Sequence, residues 1–189
     1  MILDLLRHGE TEQGGGLRGS LDDALTEQGW AQMRGAVREG GPWQVLVSSP
    51  LQRCARFADE LGARLGLPVQ REAGLQELHF GEWEGRSALQ IMQTQADELG
   101  RFWADPYGYT PPAGEPVSAF AERVLAAVAR LYQQHAGKRV LLVTHGGVMR
   151  LLLARARGLP KEQLLQVEVG HGALLRVLMN EDGLVEEVR

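Results

Sequence analysis

Short apolar runs and apolar residues at helical spacing take turns along this chain. Ile2, Leu3, Leu5 and Leu6 form a run that Gly9 ends, as a buried strand would. Thr26 is placed to cap a helix carrying Trp30, Met33 and Val37 on one face, with Leu25 as a staple onto Trp30 and Gly40-Gly41-Pro42 as its stop. A second strand covers Val45 to Ser48. Ser49 as cap and Pro50 as first residue then open a helix whose apolar positions are Leu51, Cys54, Ala58, Leu61 and Leu65. Val69 to Ala73 reads as a short strand. Leu89, Met92, Ala96, Leu99, Phe102 and Trp103 predict a helix over Ser87 to Trp103 with these residues in the core. Asp105 to Glu115, rich in Pro and Gly, reads as a long loop. Val117, Phe120, Val124, Val128 and Leu131 mark a further helix. Val140 to Thr144 is a strand, Val148 to about Ala156 a helix, and Gln163 to Leu165 a short helical piece. Ala173 to Met179 and Leu184 to Val188 flank Asn180-Glu181-Asp182-Gly183 as a closing hairpin.

Strands that alternate with helices predict an α/β fold: one domain over 1–189, three layers α/β/α, and a mostly parallel central sheet. The length of 189 residues suffices to bury a sizeable core. Apolar content of 44% and charged content of 23% are those of a globular protein. A formal charge of −4 argues against a nucleic-acid partner and requires any cations for an anionic substrate to be concentrated locally. Cys54 is the single cysteine, so neither an internal disulfide nor a cysteine-rich metal site is expected, and it reads as a core residue. No apolar run approaches the ~20 residues of a membrane span, because Asp4 and Arg7 interrupt the first one. The expectation is a soluble, cytoplasmic protein with no membrane partner, and a homodimer is compatible with the sequence.

Chemistry gathers where the strands end. Arg7 and His8 follow the first strand, Arg53 follows the second within a helical turn or two, and His145 follows Thr144. In an open parallel sheet those carboxyl ends meet at one edge, where ligands bind. A single histidine is more often structural; three strands each leading to a cation or an imidazole make one site the better reading. Between them, Glu12 to Ser20 is too rich in glycine for a regular element and suits a loop that wraps an anion. Two arginines can hold a tetrahedral oxyanion, and a neutral imidazole beside them can attack phosphorus. Arg150, Arg155 and Arg157 read as a solvated helix face, and His171 as a residue that either faces the site or caps a loop, the structural role being favoured.

Leu6-Arg7-His8-Gly9-Glu10-Thr11, Ser48-Ser49-Pro50-Leu51-Gln52-Arg53 and Thr144-His145-Gly146-Gly147 resemble the three signature segments of the histidine phosphatase superfamily, which includes phosphoglycerate mutases. Gly19 to Gln32 and Glu77 to Gly85 resemble two further segments, in the same order. The resemblance implies the phosphoglycerate mutase-like fold, no cofactor and a small phosphorylated metabolite as partner. It further implies that His8 becomes phosphorylated, that Arg7, Arg53 and His145 bind the phosphoryl group, and that Glu77 carries the proton. Spacing alone leaves Glu82 and Glu84 as rivals of Glu77. No metal is implied, since His8 and His145 lack a third ligand at characteristic spacing and the arginines repel a cation.

One position departs from the pattern: Gly14 stands where many members carry a phosphate-contacting Asn, and Gln13, Ser20 or a backbone amide of the glycine loop is the expected substitute. Only 68 positions separate Glu77 from His145. That is shorter than in the mutases, which favours hydrolysis over transfer. The short length and Gly14 to Thr26 are similar to bacterial α-ribazole phosphatases of cobalamin biosynthesis, with Arg18, Trp83 and Trp103 as candidate contacts to a nucleoside. A broad sugar phosphate phosphatase, a phosphoglycerate mutase and a non-catalytic phospholigand-binding module are the alternatives.

Overall fold

The computed structural model describes residues 1–186. Six strands form one sheet in the order β3-β2-β4-β1-β5-β6. They are β1 Ile2–Arg7, β2 Val45–Ser48, β3 Val69–Arg71, β4 Arg139–Thr144, β5 Leu174–Asn180 and β6 Gly183–Glu186. The first four in that order run parallel, and β5 and β6 add an antiparallel hairpin beside β1. The α/β class and the mostly parallel sheet agree with the sequence pattern.

Alternation along each strand separates two cores. Leu3 and Leu5 of β1, Val47 of β2, and Val140 and Leu142 of β4 join a cluster with helices α3 Ala88–Ala104, α4 Val117–His135 and α5 Gly146–Ala156. Leu6, Leu46, Leu141 and Val143 face the other way, onto α1 Glu27–Ala36 and α2 Gln52–Leu65. Two helices thus cover one face and three the other. Because β1, β2 and β4 are parallel and in register, with Arg7 opposite Thr144 and Ser48 opposite Val143, their carboxyl ends lie side by side.

Local signals explain most helix ends. Thr26 caps α1 by accepting the Gly29 N–H at 2.9 Å, and Leu25 and Trp30 share one apolar cluster. Ser87 and Gln90 form a capping box on α3. Gly66 closes α2 in the left-handed region. The N-terminus of α2 differs from the expected Ser49-Pro50 start, for its cap is Leu51 and its first residue Gln52. Asp22 takes the Gln52 N–H at 2.6 Å, which frees the Ser49 hydroxyl for a different partner.

The core of α3 also differs. Leu89, Met92 and Trp103 are 68%, 47% and 50% exposed, and the buried positions are Ile91, Leu99 and Phe102. A break at Gln95 (φ −144°, ψ 47°) turns the second half of the helix relative to the first, so no single stripe of 3.6-residue spacing spans it. Trp83, fully buried, donates its indole N–H to the Gln95 side chain at that break. β3 ends at Arg71, and a single 3-10 turn, Ala73–Leu75, follows. In the closing hairpin Asn180 pairs with Gly183, leaving a two-residue loop, and Val188 lies outside the described residues.

One charge sits inside this frame. Asp4, 2% exposed on the central strand, accepts from Trp43 Nε1, Arg139 Nε and Arg176 Nε, each at 2.7 Å. Burial raises its pKa, the three donors lower it, and the net shift is downward. Replacing Asp4 by Ala leaves two guanidinium groups facing an apolar strand. Chemical denaturation should show a loss of about 3 kcal/mol, the low end for a broken buried pair because both arginines keep some water.

Candidate active site

The nucleophile candidate is fixed by a glycine contact. A β-carbon on Gly9 would lie 2.1 Å from the Gly29 carbonyl oxygen, and one on Gly29 would lie 2.1 Å from that of Glu10. The first turn of α1 therefore packs directly on the backbone that leaves β1. His8 N–H donates to Thr144 O at 2.9 Å, extending the β1–β4 ladder by one residue. His8 Nδ1 lies 2.8 Å from Gly9 O. A carbonyl only accepts, so Nδ1 carries the proton and Nε2 keeps its lone pair.

His145 is held from both sides. Arg53 Nε donates to its Nδ1 at 3.3 Å, so its proton is on Nε2, which donates to Ser49 Oγ at 2.7 Å. This is the partner for which Ser49 gives up its expected capping role. The two imidazoles stand edge to face, 5.3 Å between centroids. Arg53 is fully buried and donates to the carbonyls of Leu21 and Gly19, the latter at 2.9 Å. Asp23 Oδ1 approaches Arg53 Nη1 to 3.8 Å.

Above these groups lies a cavity of about 260 Å³. His8, Arg7, Glu77 and Arg18 belong to its wall, whereas Arg53 and His145 lie behind His8 and do not reach the surface. Arg7 Nη1 donates to Val169 O at 2.6 Å and Nη2 to His171 Nε2 at 3.2 Å. Glu77 sits at the N-terminus of α5, accepting from Gly147 N–H at 2.9 Å and Leu78 N–H at 3.0 Å. A β-carbon on Gly147 would come within 2.3 Å of Glu77 Oε1, so a side chain there would displace the carboxylate from this position.

The rival acids go elsewhere. Glu84 accepts N–H groups from Gly19, Ser20 and Phe80, so it fastens the loop instead of facing the cavity. Glu82 is exposed and outside the wall. Gln13 is exposed, and Ser20 turns to Glu84; neither is part of the cavity, whereas the backbone of Gly14 to Gly16 is. Trp83 is buried against Tyr109 and Phe102, which removes it as a nucleoside contact, and Trp103 is exposed outside the wall.

Two residues read as structural in the sequence belong to the cavity. His171 lines it, 5.7 Å from the His8 ring. Arg150 lines it from α5 while donating to Val167 O at 2.9 Å. The position of Arg150 near the start of the helix that His145 opens was the available signal; a helix-face reading conceals it. Leu17, Phe80 and Ala88 supply an apolar wall. Among the described residues no cluster of three or more His, Cys, Asp or Glu is placed to hold a metal ion, and no helix is long and apolar enough to cross a membrane.

Known proteins carry the same frame. Residues 3–188 match the family described as the histidine phosphatase superfamily (branch 1). The adenosylcobalamin/alpha-ribazole phosphatase of Escherichia coli is 32% identical over 185 residues, 96% of this chain and 91% of the relative. A 2,3-bisphosphoglycerate-dependent phosphoglycerate mutase of Methylobacterium radiotolerans is 32% identical, covering 97% of this chain and 92% of its own length. A mycobacterial glucosyl-3-phosphoglycerate phosphatase in complex with VO3 superposes with a TM-score of 0.88 at 28% identity, over 100% of this chain and 98% of that one. The chain is an enzyme of the histidine phosphatase superfamily. The mutase relative is nearly coextensive with it, so chain length does not separate hydrolysis from transfer.

Burial, then Arg53, holds both His8 and His145 well below the ordinary imidazole value of 6.5. Below pH 6.5 the unfolded chain takes up protons that the folded one refuses, so stability rises with pH in that window and is complete above it. Each ring contributes up to about 1.4 kcal/mol per pH unit. Native protein should lose melting temperature as pH falls from 6.5 to 5, and His8→Asn should lose it less steeply. Cys54 lies against His145, fully buried, with its thiol pushed up to about 12 by burial. A thiol-disulfide reagent should leave it unmodified in native buffer and modify it at once in denaturant.

Proposed function

We propose that this protein hydrolyses small phosphomonoesters through a phosphohistidine on His8, without a metal ion, with residues 1–189 acting as one catalytic domain. The observation that carries the reading is the His8 tautomer: Nδ1 is committed to Gly9, and the Nε2 lone pair is held neutral in the cavity that Arg7 and Glu77 share.

In the first step Nε2 attacks phosphorus in line, and the bond to the ester oxygen breaks. Glu77, protonated, gives its proton to that oxygen as the alcohol leaves. In the second step water attacks the phosphorus, Glu77 takes the water proton, and the P–N bond breaks to return neutral His8 and inorganic phosphate. Arg7, with Arg53 and His145 behind, offsets the charge that builds on the transferring oxygens. The guanidinium groups thereby supply the positive field for which other phosphatases use metal ions.

For substrate, we infer α-ribazole 5′-phosphate, as in cobalamin biosynthesis. Similarity to the Escherichia coli enzyme supports this, as does the wall of Leu17, Phe80 and Ala88, which suits the aromatic base of a leaving nucleoside. One observation favours a second reading: Arg150 and His171 add cationic or donor groups that a neutral ribazole leaves idle, and that a phosphoglycerate-type ester or sugar phosphate would use. Hydrolysis over mutase transfer remains part of the proposal, as does a cytoplasmic protein acting on a small metabolite.

Metal-free protein should turn over an aryl phosphate and trap labelled phosphate on His8, and His8→Ala should do neither. Loss of activity in EDTA with return in zinc would overturn the reading, as would no turnover by the native protein, which fits a phospholigand-binding module. Glu77→Gln should slow turnover roughly 10²–10⁴-fold. A ratio of kcat/KM among α-ribazole 5′-phosphate, glucosyl-3-phosphoglycerate, sugar phosphates and 3-phosphoglycerate then selects the substrate class.

A further inference from the structure

The turn that leads into β5 is fastened to the end of β1. Gly172 N–H donates to His8 O at 3.4 Å, Arg7 N–H donates to Ala173 O at 3.0 Å, and Ala173 N–H closes the turn on Gly170 O at 3.1 Å. Gly172 has φ +69°, and a β-carbon there would lie 3.0 Å from the Gln32 side chain and 3.1 Å from its backbone, so the turn also rests on α1. His171 stands between these fastened residues. Backbone contacts alone therefore hold it beside Arg7 and His8.

Two distances place the ring. His171 Nε2 is 3.2 Å from Arg7 Nη2, and the His171 centroid is 5.7 Å from that of His8. All three side chains line one cavity, and His171 is exposed, so it is open to whatever enters, as Arg53 and His145 are not. A guanidinium only donates, so Nε2 accepts and the neutral ring carries its proton on Nδ1. Partial burial, then the Arg7 charge, lowers the pKa of His171 below the ordinary imidazole value, with Glu10 opposing, and the ring is neutral at pH 7. Among the described residues its Nδ1–H has no hydrogen-bond partner. Arg7 for its part bonds Val169 O through Nη1 and His171 through Nη2, and each Nη carries a second hydrogen. Donors from two side chains thus remain uncommitted next to the ring of His8.

We infer that His171 is a phosphoryl-binding residue, its Nδ1–H donating to a non-bridging oxygen of the group that His8 attacks. It rests on the phosphatase reading of the cavity. The bond is charge-assisted, and the fastened turn with Arg7 on Nε2 pre-orients the ring, so little freedom is lost when an oxyanion arrives. His171 then serves any phosphomonoester. Of the two groups that favoured a charged leaving group, only Arg150 is left for that part.

Orthovanadate and inorganic phosphate serve as probes, with an aryl phosphate as substrate. An imidazole N–H open to water exchanges too fast to give a proton signal. In NMR spectra of the native protein the His171 Nδ1 proton should therefore be absent from the free form and appear on addition of vanadate. His171→Ala should weaken inhibition by both anions and raise KM for the ester roughly 10- to 100-fold, with His171→Gln, whose amide keeps a donor, between it and the native protein. A ring that merely steadies Arg7 would weaken inhibition when removed yet show no protected proton, which overturns the assignment, as does unchanged inhibition in His171→Ala. The native spectrum answers even if both variants misfold. Turnover of aryl phosphate without a protected proton removes His171 and leaves the phosphatase reading intact. A proton protected by vanadate, in a native protein that turns over no ester, sustains His171 and removes the hydrolase.

Discussion

The structure depends on holding a guanidinium group away from water at the carboxyl edge of a parallel sheet. Arg53 is wholly enclosed, and its charge is met by two loop carbonyls, a nearby carboxylate and the ring of His145. A buried charge of this kind is tolerable only with every neighbour arranged around it. That requirement reaches far: after burial it is the second influence that keeps both imidazoles neutral, and it fixes the proton of His145 and ties residues 19–21 down over the α2 N-terminus. Glu84 completes the arrangement from the other side by gathering backbone N–H groups of the same loop.

What periodicity could reveal, it revealed where burial is two-sided. Leu3, Leu5 and Leu6 read as a strand because each face of it is covered, and Arg7, His8 and His145 follow from where such strands stop. The start of α2 was not legible, since Asp22 is far from Gln52 in sequence and replaces a cap that Ser49 would otherwise provide. The α3 stripe misled because a break at Gln95 changes the phase of the helix, a change that apolar spacing alone does not record.

The cavity wall was the least legible part. Glu77, Glu82 and Glu84 are alike as letters, and only their positions distinguish a carboxylate at the head of α5 from one that knots a loop and one in water. Arg150 and His171 lie in segments whose polar residues have ordinary surface explanations. They enter the cavity because α5 and the turn before β5 both approach the end of β1. The motif segments therefore specify the cluster of Arg7, His8, Arg53 and His145, while other parts of the cavity wall come from stretches without a motif. A phosphatase and a mutase can each resemble this chain at about one residue in three for that reason.

The contact between Gly9 and Gly29 has an evolutionary consequence. Two backbones touch there with no side chain between them, so neither position can drift alone, and compensating for a methyl group at one site would mean moving an entire helix. The location of His8, the proposed nucleophile, is thus insulated from sequence change on that side, whereas Gly15 across the cavity has open space around it and can accept a side chain. Descendants of this scaffold would be expected to diverge in what they recognise long before they diverge in where they react.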